Sequence, residues 1–190
     1  MNTRLILIII AAVISLIFYD CQSSSQDNSP TQDFFPIGSF IKSQLRNLDT
    51  LPLAVIKYTT IRGITDTMVV EKIAFRKLAE GFMAPDIASP ELHNSYTETS
   101  FIDATLGTMT LTYKARDRDL IIRRADVLLN REKGDVQSVY IEKAIENNDS
   151  TRIDKILWTT DRNCQVSELV YYKNGPEHVV VTRYVWDDRE

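Results

Sequence analysis

Cysteine is the residue whose placement promises chemistry in this chain, and there are two of them. Cys21 closes a stretch in which one basic residue, Arg4, precedes an almost wholly apolar run from Leu5 to Tyr19 and then Asp20. In bacterial lipoprotein signals a thiol at that place is acylated and becomes the mature N-terminus, so lipidation of Cys21 is expected. The run falls short of the roughly 20 apolar residues a spanning helix needs, and no basic cluster follows to stop transfer. Phe18-Tyr19-Asp20 contains none of the small residues of an ordinary secretory cleavage site. Asp20 stands where lipoprotein signals carry a small residue, which keeps an uncleaved short anchor and a soluble secreted form as alternatives.

The remaining candidates for chemistry are sparse. Cys164 opens a strand-like run, Cys164 to Tyr172, with no histidine near it in sequence, which predicts an inert packing thiol. His93 and His178 stand far apart, without His or Cys at metal-ligand spacing, so no metal site is predicted. No Gly-x-Ser-x-Gly elbow or phosphate-cradling glycine loop is present, and the whole chain has six glycines. No cofactor is implied. Asp86, Glu91, Glu98 and Asp103 could serve acid–base chemistry only if the fold brought two of them together. Aromatic residues of the last strands, Trp158, Tyr171, Tyr184 and Trp186, form a candidate binding face, because such rings combine apolar area with a polar tip. Strand parity decides between that face and ordinary core packing.

The elements that must position these residues follow from composition and period. Residues 1–20 read as a signal peptide. Gln22 to Asp33 holds no apolar residue, so residues 21–33 are expected to be a disordered tether with a reach of roughly 20 Å. Residues 34–190 have the length of one domain with its own core. The net charge of −4 and the alternation of Lys114-Ala115-Arg116-Asp117-Arg118-Asp119 speak against a nucleic-acid partner, which requires a basic face.

Within the domain, Phe34-Phe35-Pro36-Ile37-Gly38-Ser39 supplies an apolar entry and an N-cap candidate for a helix with Ile41, Leu45 and Leu48 on one stripe. Leu53 to Ile61 reads as a strand. Thr65-Asp66-Thr67 is placed to cap a second helix carrying Val70, Ile73, Ala74 and Leu78 and ended by Gly81, and Ser89-Pro90-Glu91 to start a short third one. From about Thr99 the period becomes two. Met109 to Tyr113, Leu120 to Leu129, Val136 to Ile145, Arg152 to Thr159, Cys164 to Tyr172 and His178 to Trp186 follow as strands, separated by turn residues. Connections that short join only antiparallel neighbours. The predicted fold is α+β, an antiparallel meander of five or more strands with the N-terminal helices packed on one face. If Lys173-Asn174-Gly175-Pro176 is the last loop, Val170 faces Val179, Val166 faces Arg183 and Cys164 faces Val185, with Trp186 on the face opposite Cys164.

The opening Phe34-Phe35-Pro36-Ile37-Gly38-Ser39-Phe40-Ile41-Lys42-Ser43-Gln44-Leu45, with Trp158, Cys164, Gly175 and Trp186 along consecutive strands, resembles a group of uncharacterised lipid-anchored envelope proteins of Bacteroidota. The resemblance implies a compartment, the Gram-negative periplasm, and no activity. Gln22 to Gln26 lacks the acidic cluster of surface-exported lipoproteins in such bacteria, which implies the periplasmic side, with the outer membrane as the anchor's membrane. The expectation is a non-catalytic, lipid-anchored module that binds an envelope protein or a small ligand. The alternative is an envelope hydrolase whose acids converge only in the fold, signalled by a cleft with two close carboxylates or by Cys164 beside His178.

Overall fold

The described residues open with an apolar stripe at helical spacing. In the computed structural model, which describes residues 34–188, that stripe is α1 (Ile37–Thr50), and Ile37, Ile41, Leu45 and Leu48 are its buried side. The signal segment, Cys21 and the tether lie outside the described residues. After α1 come β1 (Val55–Ile61), β2 (Ile64–Val70) and α2 (Lys72–Phe82). Seven strands follow: β3 (Tyr96–Asp103), β4 (Thr108–Ala115), β5 (Ile122–Asn130), β6 (Val136–Glu146), β7 (Ser150–Thr159), β8 (Asn163–Tyr172) and β9 (His178–Val185).

All nine strands form one antiparallel sheet in the order β2-β1-β9-β8-β7-β6-β5-β4-β3. The period-two half of the sequence is thus a meander from β3 to β9, and the β1–β2 hairpin joins it through β1 against β9. β2 and β3 are its two ends, so the sheet is not closed. Buried side chains of both helices belong to the same hydrophobic cluster as Val55, Tyr113, Val127, Val139, Ile156, Trp158 and Cys164. Phe75 of α2, with 0 % exposure, sits among three rings, 5.0 Å from Tyr184, 5.6 Å from Trp186 and 6.1 Å from Trp158. Lysines hold the carbonyl ends of the helices: Lys72 Nζ donates to Leu48 O and Leu51 O after α1, and Lys143 Nζ to Gly81 O in the last turn of α2 at 2.9 Å.

Three local expectations are corrected. Residues 64–70 are β2 and not the start of a helix, paired with β1 from Val55↔Val70 to Ile61↔Ile64. The turn between them puts Arg62 at φ 48 and Gly63 at φ 81, the pair of left-handed residues a two-residue hairpin demands, and β-branched Ile64, Thr65, Thr67, Val69 and Val70 suit a strand. α2 then starts at Lys72 and buries Phe75 and Ala79, leaving Ile73 and Leu78 exposed by 69 % and 43 %. Gly81 lies inside its last turn. Around Ser89 the chain makes a turn, with the Leu92 and His93 amides donating to Ser89 O, and then a single 3-10 turn over His93–Ser95, so no helix begins at Pro90. The last hairpin is one residue out of the expected register: Cys164 pairs with Tyr184, Gln165 with Arg183 and Val170 with His178. Tyr171 and Tyr172 remain paired to Thr151 and Ser150 of β7, which lengthens the loop before His178. A one-residue slip turns every side chain over. Here it puts Cys164, Tyr184 and Trp186 together in the core and sends Arg183 to the other face.

Candidate functional site

Because Val55, Cys164 and Tyr184 face the core, their sequence neighbours must face away from it. Ile56, Tyr58 and Thr60 of β1 and Val181, Arg183 and Val185 of β9 are those alternate residues. With Gln165 of β8 they line a groove of about 450 Å³. Ala54, Trp186 and Asp188 close one end. That end is fixed in place by the Trp186 and Asp187 amides, which both donate to Arg162 O at 3.1 Å. Trp186 therefore serves both sides of the sheet, its ring tilted against Trp158 at 5.2 Å in the core while it also lines the groove.

Register gives the groove its order. Tyr58 and Gln165 are the two cross-strand partners of Arg183, so a phenol, a guanidinium and an amide stand in one lateral row. The next row toward Trp186 holds Ile56 opposite Val185, an apolar wall. Arg183 has no carboxylate or carbonyl partner among the described residues. The rest of the face differs. Farther along the same row, Leu157 faces Gln165, Tyr140 faces Leu157 and Asp126 faces Tyr140. There Arg124 is neutralised by Asp126 at 2.8 Å, and the Tyr140 hydroxyl donates to Glu142 Oε2 at 2.9 Å. Burial, then the Glu142 hydrogen bond, pushes the Tyr140 hydroxyl up to about 12.

The four aromatic residues expected on one binding face are not brought together on an open surface. Trp158, Tyr184 and Trp186 are buried around Phe75. Tyr171 is exposed and shares the parity of Gln165, on the opposite side of β8. What marked them as a set was ring content, and ring content does not report parity. Arg183, the residue that organises the groove, was expected to face Val166. A correct loop length for the last hairpin would have found it.

The other candidates have structural partners. Cys164 is fully buried, and burial alone pushes its thiol far up from the ordinary range. It stands six register steps from His178, about 20 Å along the ladder. His93 stacks on Phe34 with ring centroids 4.1 Å apart. Asp86 accepts from the Ala88 amide at 3.1 Å and Asp103 from Thr105 and Leu106 at 2.9 and 3.0 Å, both turn-forming contacts. Glu91 is held below the usual carboxylate range by its own backbone amide and by Ser89. Glu98 lies opposite Tyr113, across β3 and β4. Among the described residues no three His, Cys, Asp or Glu side chains are placed to hold a metal ion, and no helix is long and apolar enough to cross a membrane.

Two carboxylates do converge on the core-facing side: Asp154, 8 % exposed, is the cross-strand partner of Glu168. Arg152 binds both, Asp154 at 2.8 and 3.0 Å and Glu168 at 2.9 Å. Lys143, cross-strand to Asp154, is pushed below its ordinary value by burial. The cluster neutralises itself.

No family model matches the chain, and no curated protein matches it in sequence. In structure it is similar to the S-type phycobiliprotein lyase CPES from Guillardia theta, with 8 % identity and a TM-score of 0.28 over 83 % of this chain and 96 % of that one.

Proposed function

We propose that this chain is a non-catalytic binding module, anchored by an acylated Cys21 to the periplasmic side of a bacterial envelope membrane, the outer one, and that it takes a small ligand in the β1–β9–β8 groove. The observation that carries the reading is the groove itself. Its volume of about 450 Å³ lies in the range of small-ligand sites, and its walls combine apolar residues, Ile56, Val181 and Val185, with polar ones, Tyr58, Gln165 and Arg183. In this reading both helices lie against the opposite face, the one that carries Trp158, Cys164 and Tyr184, and leave the groove face free. The membrane is the partner through the anchor, and nucleic acid is not a partner.

A hydrolase would draw on Asp154 and Glu168, but acid–base work needs one carboxyl kept protonated. Here one guanidinium, that of Arg152, is bound to both and ties the pair into an ion-pair network.

The test is extraction of the full chain from its native envelope without denaturation, followed by mass spectrometry of what co-purifies. The wild type is expected to retain a small molecule that Val181→Trp, which fills the groove, does not. Equal retention by both would overturn the groove as the site. Acyl labelling in the same preparation is expected for the wild type and absent from Cys21→Ser; an unlabelled wild type would overturn the anchor.

A further inference from the structure

The groove has charge as well as shape. Of the residues that line it, one is cationic, Arg183, and one is anionic, Asp188. They are not paired with each other or with any other described residue. Arg183 sits in the middle of the groove, between Tyr58 and Gln165, whose hydroxyl and amide are further donors. Asp188 sits at the end beyond Ile56 and Val185. Elsewhere on this face the arginine that shares a neighbourhood with a carboxylate is bound by it, as Arg124 is by Asp126 at 2.8 Å. Neither cross-strand neighbour of Arg183 can neutralise a guanidinium.

We infer that the groove selects a monoanionic carboxylate carried on an apolar body. The acid meets Arg183 with Tyr58 and Gln165 beside it, and the body lies over Ile56 and Val185 toward Trp186. This deepens the proposed function and rests on the groove being the binding site. A planar carboxylate matches the guanidinium fork through two parallel hydrogen bonds. A phosphate monoester, near two negative charges at neutral pH, would find one cation and, at the far end, a carboxylate that repels it. A cationic ligand would have to place its charge at Asp188 and leave Arg183 desolvated and unpaired beneath its body.

The experiment uses the full acylated chain in phosphatidylcholine nanodiscs, titrated calorimetrically with phenylbutyrate, phenylbutanol, phenylbutylamine and phenethyl phosphate against empty nanodiscs. Phenylbutyrate is expected to bind roughly tenfold tighter than phenylbutanol, the worth of a charge-assisted hydrogen bond. In Arg183→Gln, which keeps an exposed polar side chain in place, the two should bind alike. Equal binding of acid and alcohol to the wild type, a preference for the amine or the phosphate, or an acid preference that survives Arg183→Gln would overturn the acid specificity while leaving the groove reading intact. Binding of every probe undiminished by Val181→Trp would overturn the groove and this inference with it.

Discussion

Tyr184 and Arg183 are adjacent in sequence and belong to two different environments. Tyr184 lies 5.0 Å from the ring of Phe75 in a packed aromatic cluster, whereas Arg183 stands in an open groove with neutral cross-strand neighbours and no ion-pair partner among the described residues. The same division runs through β8, where Cys164 is fully buried and Gln165 lines the groove. β8 and β9 thus each carry a core face and an open face, and the parity of one side chain sets the other. Three rings that must be buried decide which way β9 turns, and the arginine is exposed as a consequence. A residue of the open face can therefore be placed by the core residue next to it.

The sharpest way to break this comparison is to remove the centre of the core. Phe75→Ala deletes a ring with 0 % exposure that touches Trp158, Tyr184 and Trp186. It is expected to cost about 3–5 kcal/mol in urea unfolding. Any folded fraction should still prefer phenylbutyrate to phenylbutanol, because Phe75 lines no part of the groove. A cost below about 1 kcal/mol would mean that the aromatic cluster does not fix the parity of β9.

How much of this division can be read from residues alone differs along the chain. The strands from β4 to β9 are legible because period-two alternation and turn residues punctuate them at both ends, and their bounds fall within about two residues of the expected ones. The β2–α2 boundary is not. Thr65-Asp66-Thr67 looks like a helix cap, and α2 has apolar residues on its solvent side, Ile73 and Leu78, that complete a false stripe. The informative signal there is Gly63 after a polar residue, between two β-branched runs. The site is less legible still. Its row of Tyr58, Arg183 and Gln165 is built from β1, β9 and β8, so it depends on a pairing between the two ends of the chain that no local pattern encodes. The hairpin register, slipped by one, hid the last clue.

The open face can be distinguished from the core by its titration. The Tyr140 hydroxyl is pushed up to about 12, first by burial and then by its hydrogen bond to Glu142, while an unfolded tyrosine titrates near 10. Between pH 10 and about 12 the folded chain holds a proton that the unfolded chain releases, so this contribution is complete below pH 10 and is lost as pH rises through that window. Tyr140→Phe removes it. The stability difference between wild type and Tyr140→Phe, measured by urea unfolding at pH 9.5 and 11, is expected to shrink by about 0.5 kcal/mol once solvent screening is allowed for. A constant difference would mean that Tyr140 is solvated and that the polar half of this face is as open as the groove.

The smallest expected effect concerns the far end of the groove. Two residues of strand separate the Arg183 row from the Ile56–Val185 row, about 7 Å, and Asp188 lies at the end beyond them. A ligand with a second acid at its tail would bring that charge toward the Asp188 carboxylate. A tail acid held about 7 Å from that carboxylate in water would meet a repulsion of about 0.6 kcal/mol, close to threefold in affinity. Carboxyphenylbutyrate should therefore bind the wild type about threefold more weakly than phenylbutyrate, and Asp188→Asn should close that gap without altering the affinity for phenylbutyrate itself. Raising the salt concentration should close it as well, since both charges are reached by solvent. If Asp188→Asn instead weakens phenylbutyrate, the aspartate holds the ligand body by direct contact and is not a repelling charge at the end of the groove.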